Sequence, residues 1–332
     1  MRSRLPGLVG KMQVQQISGG QSNPTYLIEF PSRRLVLRKQ PSGLVLPTAH
    51  AVDREFRIQS ALAGSAVPVP RMIFEEADTA IIGSRFYVME HLQGRVFHDS
   101  ALTDLPEGSR AIAYDSLAVT LAALHMVDWQ AAGLGDYGRP GSYFERQIRR
   151  WTQQWHSTRT RDIPEIDALA AWLRCHVPDD DRTTIVHGDY RIGNVMLDSS
   201  AAHVIAVLDW ELSTLGHPFA DLAHAQTMWF ITPDEYGGVR GIDLRRHGLP
   251  SRQAFEERYL REAGLSEGLQ PFHLAFALFR FALIFEGIAV RARAGNAAAA
   301  NATEVGHLSI ILARRAIDLL SDDGYLAGDC RL

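Results

Sequence analysis

The stretch TTIVHGDYRIGNVMLD, residues 183–198, constrains this chain more than any other feature. Two apolar runs, TTIV and VMLD, flank a turn that carries His187, Asp189, Arg191 and Asn194. A third run, VIAVLDWE, follows and ends on Asp209 and Glu211. Short apolar runs bounded by turn residues read as buried strands. Buried strands that carry carboxylates and an amide to their ends deliver them to something: a cation, a phosphate or a proton in transfer. The linker DSSAAH makes a hairpin of the second and third runs, and a hairpin brings its ends together, so Asp209 returns to the neighbourhood of Asn194. Two oxygens, one each from Asn194 and Asp209, suit Mg²⁺, which fills its remaining shell with water and substrate phosphates. Asp189 opens the turn and is placed to accept the proton of an attacking hydroxyl. Asp and Asn also populate turns because their side chains mimic backbone hydrogen bonds. The order of the surrounding elements has to decide between the two readings.

Composition narrows the partners. A formal charge of −4 leaves no basic footprint for nucleic acid. Two cysteines, Cys175 and Cys330, lie far apart and outside any Cys-x-x-Cys pattern, which suits a reducing compartment and excludes a disulfide scaffold or a thiolate zinc site. The opening MRSRLPGLVGKMQVQQ is too polar for a signal-peptide core. The longest apolar region, FHLAFALFRFALIFEGIAV, is broken by Arg280 and Glu286 and reads as a buried helix rather than a membrane span. The expectation is a cytoplasmic protein with no nucleic-acid or membrane partner.

Along the chain the element order is α+β. Residues 1–92 read as strands around one helix: a hairpin in VQQISGGQSNPTYLIEF, a third strand in RLVLRKQ, and two more in RMIFEEA and RFYVMEHLQG. The helix is PTAHAVDREFRIQSALAGS, with Thr48 as its expected N-cap and its end near Gly64. Residues 93–332 read as mostly helical, beginning with Leu117, Leu121 and Leu124 on a helical period. A hinge is expected at Glu90 to Gly94.

His-Gly-Asp-x-x-x-x-Asn followed by Asp-Trp-Glu resembles the protein-kinase catalytic loop and its metal-binding Asp, with Gly188 in place of the Arg. With ISGGQSNPTYLI, LVLRK, DREFRIQSAL, LAALH and GHPFADLA in the same order, the chain resembles the aminoglycoside phosphotransferase family, which includes choline and related small-molecule kinases. That resemblance implies a two-lobed protein-kinase-like fold with a small antiparallel β lobe and a helical lobe, and ATP and Mg²⁺ as cofactors. It implies Asp189 as catalytic base, Asn194 and Asp209 as magnesium ligands, and Ser22 and Asn23 in a turn against the phosphates. Backbone groups from Glu90 to Leu92 are expected at the adenine edge. A cation on the third strand should pair with Glu55, and Arg38 and Lys39 compete for that role; strand alternation points them to opposite faces, and the match to the kinase Val-Ala-Ile-Lys pattern favours Arg38. His187 is expected to brace the loop, His125 to pack or hydrogen-bond on its helix, and Asp221 to hold loop amides. A Walker-type phosphate loop is absent from the sequence.

The acceptor is a small molecule in this reading. Arg280 and Arg291 lie eleven residues apart, nearly on one helix face with Ala277, Ile284 and Gly287. A basic, apolar stripe near the reaction centre favours an anionic acceptor, and its alternative is an ordinary solvated face. LVLRKQPSG, VPVPRMI and GIAVRARAGNA resemble the kinase-like domain fused to certain acyl-CoA dehydrogenases, which implies a hydroxyacyl acceptor, carried on coenzyme A in one version. The alternatives are an aminoglycoside phosphotransferase proper and a nucleotide-binding pseudokinase; filled base and metal positions argue against the second.

Overall fold

The computed structural model describes residues 1, 4–17, 23–41, 51–293 and 304–322. Its first part is an antiparallel sheet of β1 (Gln13–Ile17), β2 (Thr25–Phe30), β3 (Arg33–Lys39), β4 (Met72–Glu76) and β5 (Phe86–Glu90), in the order β1-β2-β3-β5-β4. Leu35 and Leu37 of β3 pack with Ile28, Phe30, Phe86 and Val88 into a small core. Alternation therefore turns Val36 and Arg38 to the opposite face. Helix α1 (Val52–Leu62) lies between β3 and β4 in the chain and begins after Ala51. Thr48, the expected cap, falls outside the described residues, as does Ser22.

The two faces of α1 do different things. Glu55 and Gln59 are buried toward the sheet, where both reach Tyr87, while Ile58 and Leu62 join the large core of the helical part beside Leu117, Leu121 and Trp210. Helix α1 is thus shared between the sheet and the helical part. Beyond β5, residues 91–94 lead to Arg95, which pairs with Leu197. A Cβ on Gly94 would sit 2.5 Å from Met196 and 2.7 Å from the Leu197 carbonyl, so only glycine lets the chain cross there.

The helical part follows as α2 (Glu107–His125), α3 (Tyr143–Thr158), α4 (Pro164–Cys175), α5 (Pro218–Ala225), α6 (Pro233–Tyr236), α7 (Arg252–Ala263), α8 (Pro271–Arg293) and α9 (Leu308–Asp322). Between α4 and α5 lie β6 (Thr184–Val186), β7 (Val195–Leu197), β8 (Val204–Val207) and β9 (Thr214–Gly216), paired as two small antiparallel ladders, β6 with β9 and β7 with β8. Helix α8 is long and apolar enough to cross a membrane, but it is mostly buried, contacting α3, α4, α5 and α9. Its two buried charges are partnered: Arg280 donates to the Gly188 carbonyl, and Glu286 accepts from Arg161, Arg293 and Ser309. Cys175 closes α4, and Cys330 lies outside the described residues.

One buried pair makes the fold acid-sensitive. His273 of α8 stacks on His217 at 5.8 Å, among Phe144, Phe219 and Phe272. Burial, followed by repulsion from His217, pushes the His273 pKa down to about 3. In the unfolded chain a histidine titrates near 6.5, so below that pH the unfolded state takes up a proton that the folded state refuses. Stability is untouched above about pH 6.5 and falls as pH drops toward the folded value, by about 2 kcal/mol at pH 5. Thermal melts between pH 7 and pH 5 should show this loss, with a shallower slope in His273→Asn, whose amide oxygen can still accept the Gln270 N–H that Nδ1 now accepts. An unchanged slope would remove His273 as its source.

Candidate active site

The loop between β6 and β7 is held from behind. The Asp221 carboxylate of α5 accepts the backbone N–H groups of His187 (2.5 Å) and Gly188 (2.8 Å). Buried His187 bonds through Nε2 to the Leu208 carbonyl at 2.8 Å and through Nδ1 to the Asp189 N–H at 3.1 Å, which ties the loop to the end of β8. His125 packs on Tyr259, with Nδ1 2.7 Å from its hydroxyl. These placements agree with the expected roles, bracing the loop for His187, packing and hydrogen bonding for His125 and holding loop amides for Asp221. Gly188 has φ +84°, and a Cβ there would meet the Leu212 carbonyl at 2.6 Å. An Arg at this position is excluded by both counts.

So braced, the loop leaves Asp189 with a quarter of its side chain exposed. Oδ1 lies 2.7 Å from His224 Nε2, and Oδ2 accepts Asn194 Nδ2 at 2.7 Å and Arg191 Nε at 3.5 Å. Burial alone would raise its pKa, but Arg191, His224 and Arg280 together hold it well below the usual carboxylate range. Asp189 is therefore ionised at neutral pH.

Asn194 and Asp209 do come together. The Leu208 N–H donates to the Asn194 carbonyl at 2.8 Å, and Val195 pairs with Val207. Asp209 then leaves the strand in a left-handed conformation (φ 62°, ψ 63°), a conformation that Asp tolerates better than most residues. Asn194 commits its amide nitrogen to Asp189, which leaves its amide oxygen as the acceptor. Asp209 is about a third exposed and takes Arg38 on Oδ1, which leaves Oδ2. Two hard oxygens with open positions fit Mg²⁺ bound together with phosphates and water. Among the described residues there is no group of three or more His, Cys, Asp or Glu able to hold a metal by itself.

Arg38, not its neighbour Lys39, carries the ion pair. Its Nε sits 2.9 Å from Glu55 Oε2 and its Nη2 2.6 Å from Asp209 Oδ1. Burial works against the Arg38 charge, but Glu55, Tyr87 and Asp209 keep it protonated. Glu55 is 1% exposed and also accepts Tyr87 Oη (2.9 Å) and Asn23 Nδ2 (2.6 Å); burial pushes its carboxyl up against the pull of Arg38. Asn23 differs from expectation: fully buried, it directs its amide nitrogen into this network, so its side chain props Glu55. Glu90 closes β5 with its N–H on the Arg71 carbonyl, and Leu92 follows partly buried.

The last two expected residues separate. Arg280 is 7% exposed and its guanidinium lies against the Gly188 carbonyl and the Trp151 ring, beside the base. Arg291 is exposed near the end of α8, about 16 Å further along the helix. Two residues around Asp189 went unassigned in the sequence. Arg191 stood in the loop itself, and His224 follows Asp221 by three residues on α5, a spacing that puts both on one face.

A sheet laid over a helical body, with these two acidic turns between them, is a protein-kinase-like phosphotransferase architecture, and solved structures share it. A crystal structure from Ralstonia eutropha, provisionally assigned as an aminoglycoside phosphotransferase, has a TM-score of 0.87 and 40% identity over 97% of this chain and 96% of that one. The aminoglycoside phosphotransferase APH(4)-Ia, seen in a ternary complex with AMP-PNP and hygromycin B, has a TM-score of 0.64 at 16% identity over 96% and 97% of the two chains. The model of the phosphotransferase enzyme family (APH) matches residues 13–268, and the chain belongs to that family. Among curated relatives, acyl-CoA dehydrogenase family member 10 of Mus musculus is 41% identical over 95% of this chain, and family member 11 of Gallus gallus 39% over 95%. The chain spans only 30% and 42% of those two proteins.

Proposed function

We propose that this protein transfers the γ-phosphoryl group of ATP to a hydroxyl of a small anionic acceptor of the hydroxyacyl type. The observation that carries the reading is the ionised Asp189 bonded to Asn194, with Asp209 next to Asn194 and tied to the Arg38–Glu55 pair. In this reading Asp189 orients the acceptor hydroxyl and receives its proton, while Arg38 meets the phosphates and Glu55, held by Asn23 and Tyr87, sets its direction. Asn194 and Asp209 would hold Mg²⁺, which when bound neutralises charge on the transferring phosphates. Ser22 on the phosphates and the backbone of Glu90 to Leu92 on the adenine edge belong to the same proposal, as does a lobe boundary between Leu92 and Gln93.

The anionic acceptor is supported by charge. Arg191 and Arg280 both act on Asp189, which makes the surroundings of the base cationic and ill-suited to a polycation. Beyond them Ile284, Gly287 and Ile288 form a partly exposed strip of α8 that ends at exposed Arg291. An acceptor touching both the base and Arg291 has to be about 16 Å long, as an acyl thioester on a carrier is. ADP release measured over aminoglycosides, choline-like amines and hydroxyacyl-coenzyme A compounds tests this, and the last group should give the fastest turnover.

Arg291→Glu should raise the acceptor KM sharply while leaving ATP affinity alone. A lost charge-assisted hydrogen bond is worth about 1.5–3 kcal/mol, roughly ten- to hundredfold, and the reversed charge adds repulsion. Arg280 is the poorer probe, because its loss also frees the Gly188 carbonyl. Rapid phosphorylation of kanamycin-like polycations, unaffected by Arg291→Glu, would return the protein to aminoglycoside chemistry.

A further inference from the structure

We propose that His224 is a positioning residue for phosphoryl transfer, orienting the Asp189 carboxylate by donating its Nε2–H to Oδ1; this rests on the reading of Asp189 as the group that faces the acceptor hydroxyl. One face of α5 grips the loop twice. Asp221 holds the amides of His187 and Gly188, and His224, three residues on, reaches the side chain of the next loop residue at 2.7 Å. Two imidazoles therefore divide Asp189 between them, His187 taking its backbone N–H and His224 its carboxylate.

The tautomer follows from burial. His224 is 1% exposed, and its Nδ1 has no hydrogen-bond partner among the described residues. A proton on Nδ1 would be a buried donor with no acceptor, so the ring carries its proton on Nε2. The groups facing it are Asp189, Arg280 from α8 and Asp221 on its own helix, with the Phe281 ring at 5.5 Å. Burial is the strongest of these influences and keeps the ring neutral. A neutral ring already protonated on Nε2 cannot take a proton from Asp189, so its part is orientation. With Oδ2 held by Asn194, and more loosely by Arg191, and Oδ1 by His224, the carboxylate plane is set, and a lone pair remains on Oδ1. Misplacing a reacting group by about 1 Å can cost roughly 10²-fold in rate, which is the scale at stake.

The test compares His224→Gln, His224→Asn and His224→Ala. A glutamine amide reaches the place of Nε2; asparagine is one bond too short, and alanine has no donor. ADP release is followed from Mg²⁺ and ATP with a hydroxyacyl-coenzyme A as acceptor, and again with water alone, with melting temperatures measured for each variant. Expected is a kcat within about threefold of the parent for Gln and a loss of roughly 10–100-fold for Asn and Ala, with the KM for ATP unchanged. Parent-like kcat in all three overturns the inference, as does an equal loss in Gln and Asn at unchanged melting temperature. Asp189→Asn, run alongside, separates the two layers. If it is inactive while His224→Asn is normal, only the role of His224 falls; if it is normal, the assignment of Asp189 falls and takes this inference with it.

Discussion

Asp189→Asn should lower turnover by about 10²–10⁴, the span of a positioned general base. The structure argues for the upper part of that range. Asp189 accepts from His224 on one oxygen and from Asn194 on the other, so an asparagine has an oxygen for one of these donors and an NH₂ group against the second. His224 cannot adapt freely, because moving its proton to Nδ1 leaves a buried donor unpaired. ATP binding should survive, since neither oxygen of Asp189 faces Arg38 or Asp209 in the hydrogen-bond network. Steady-state ADP release together with calorimetric ATP titration separates the two effects. Near-normal turnover would remove Asp189 from the chemistry.

Asp209→Ala should abolish the Mg²⁺ dependence of nucleotide binding and cost about tenfold more Mg²⁺·ATP affinity than Asn194→Ala. Both residues offer an oxygen, but only the carboxylate brings charge to a dication. Without Mg²⁺ the sign reverses. The Asp209 charge then only repels the phosphates and engages Arg38 at 2.6 Å, so its removal should leave ATP binding equal or tighter. Titrating ATP into both variants with and without Mg²⁺ reads all four values. An Asp209→Ala protein that keeps the parent's metal dependence would sink the assignment.

Much of this was legible in one dimension, for local reasons. Strand-like runs bounded by turn residues identified β1 to β5, and a helical period identified α2, because both signals depend on the chain's own local geometry. The hairpin from β7 to β8 was legible for the same reason, and with it the approach of Asp209 to Asn194. Strand alternation separated Arg38 from Lys39 as well. The partner, Glu55, was named by the family resemblance and not by alternation, because it lies on another element and its distance depends on how α1 rests against the sheet.

The residues that were missed or misjudged share one property: their partners lie on other elements. Asn23 looked like a turn residue open to phosphate, and packing buried it under Glu55, 32 residues away. Arg280 looked like a pocket lining, and the depth of α8 in the core put its guanidinium on a carbonyl 92 residues away. His224 had the right spacing from Asp221, yet nothing local says that this face of α5 meets the loop rather than the core. The sequence determined which elements form and which side chains share a face, since both follow from backbone geometry over a few residues. The tertiary structure alone decided which faces meet, and hence that Asp189 sits between an imidazole and an amide with its charge held down. That outcome depends on close packing of distant elements, where a shift of an ångström makes or breaks a hydrogen bond.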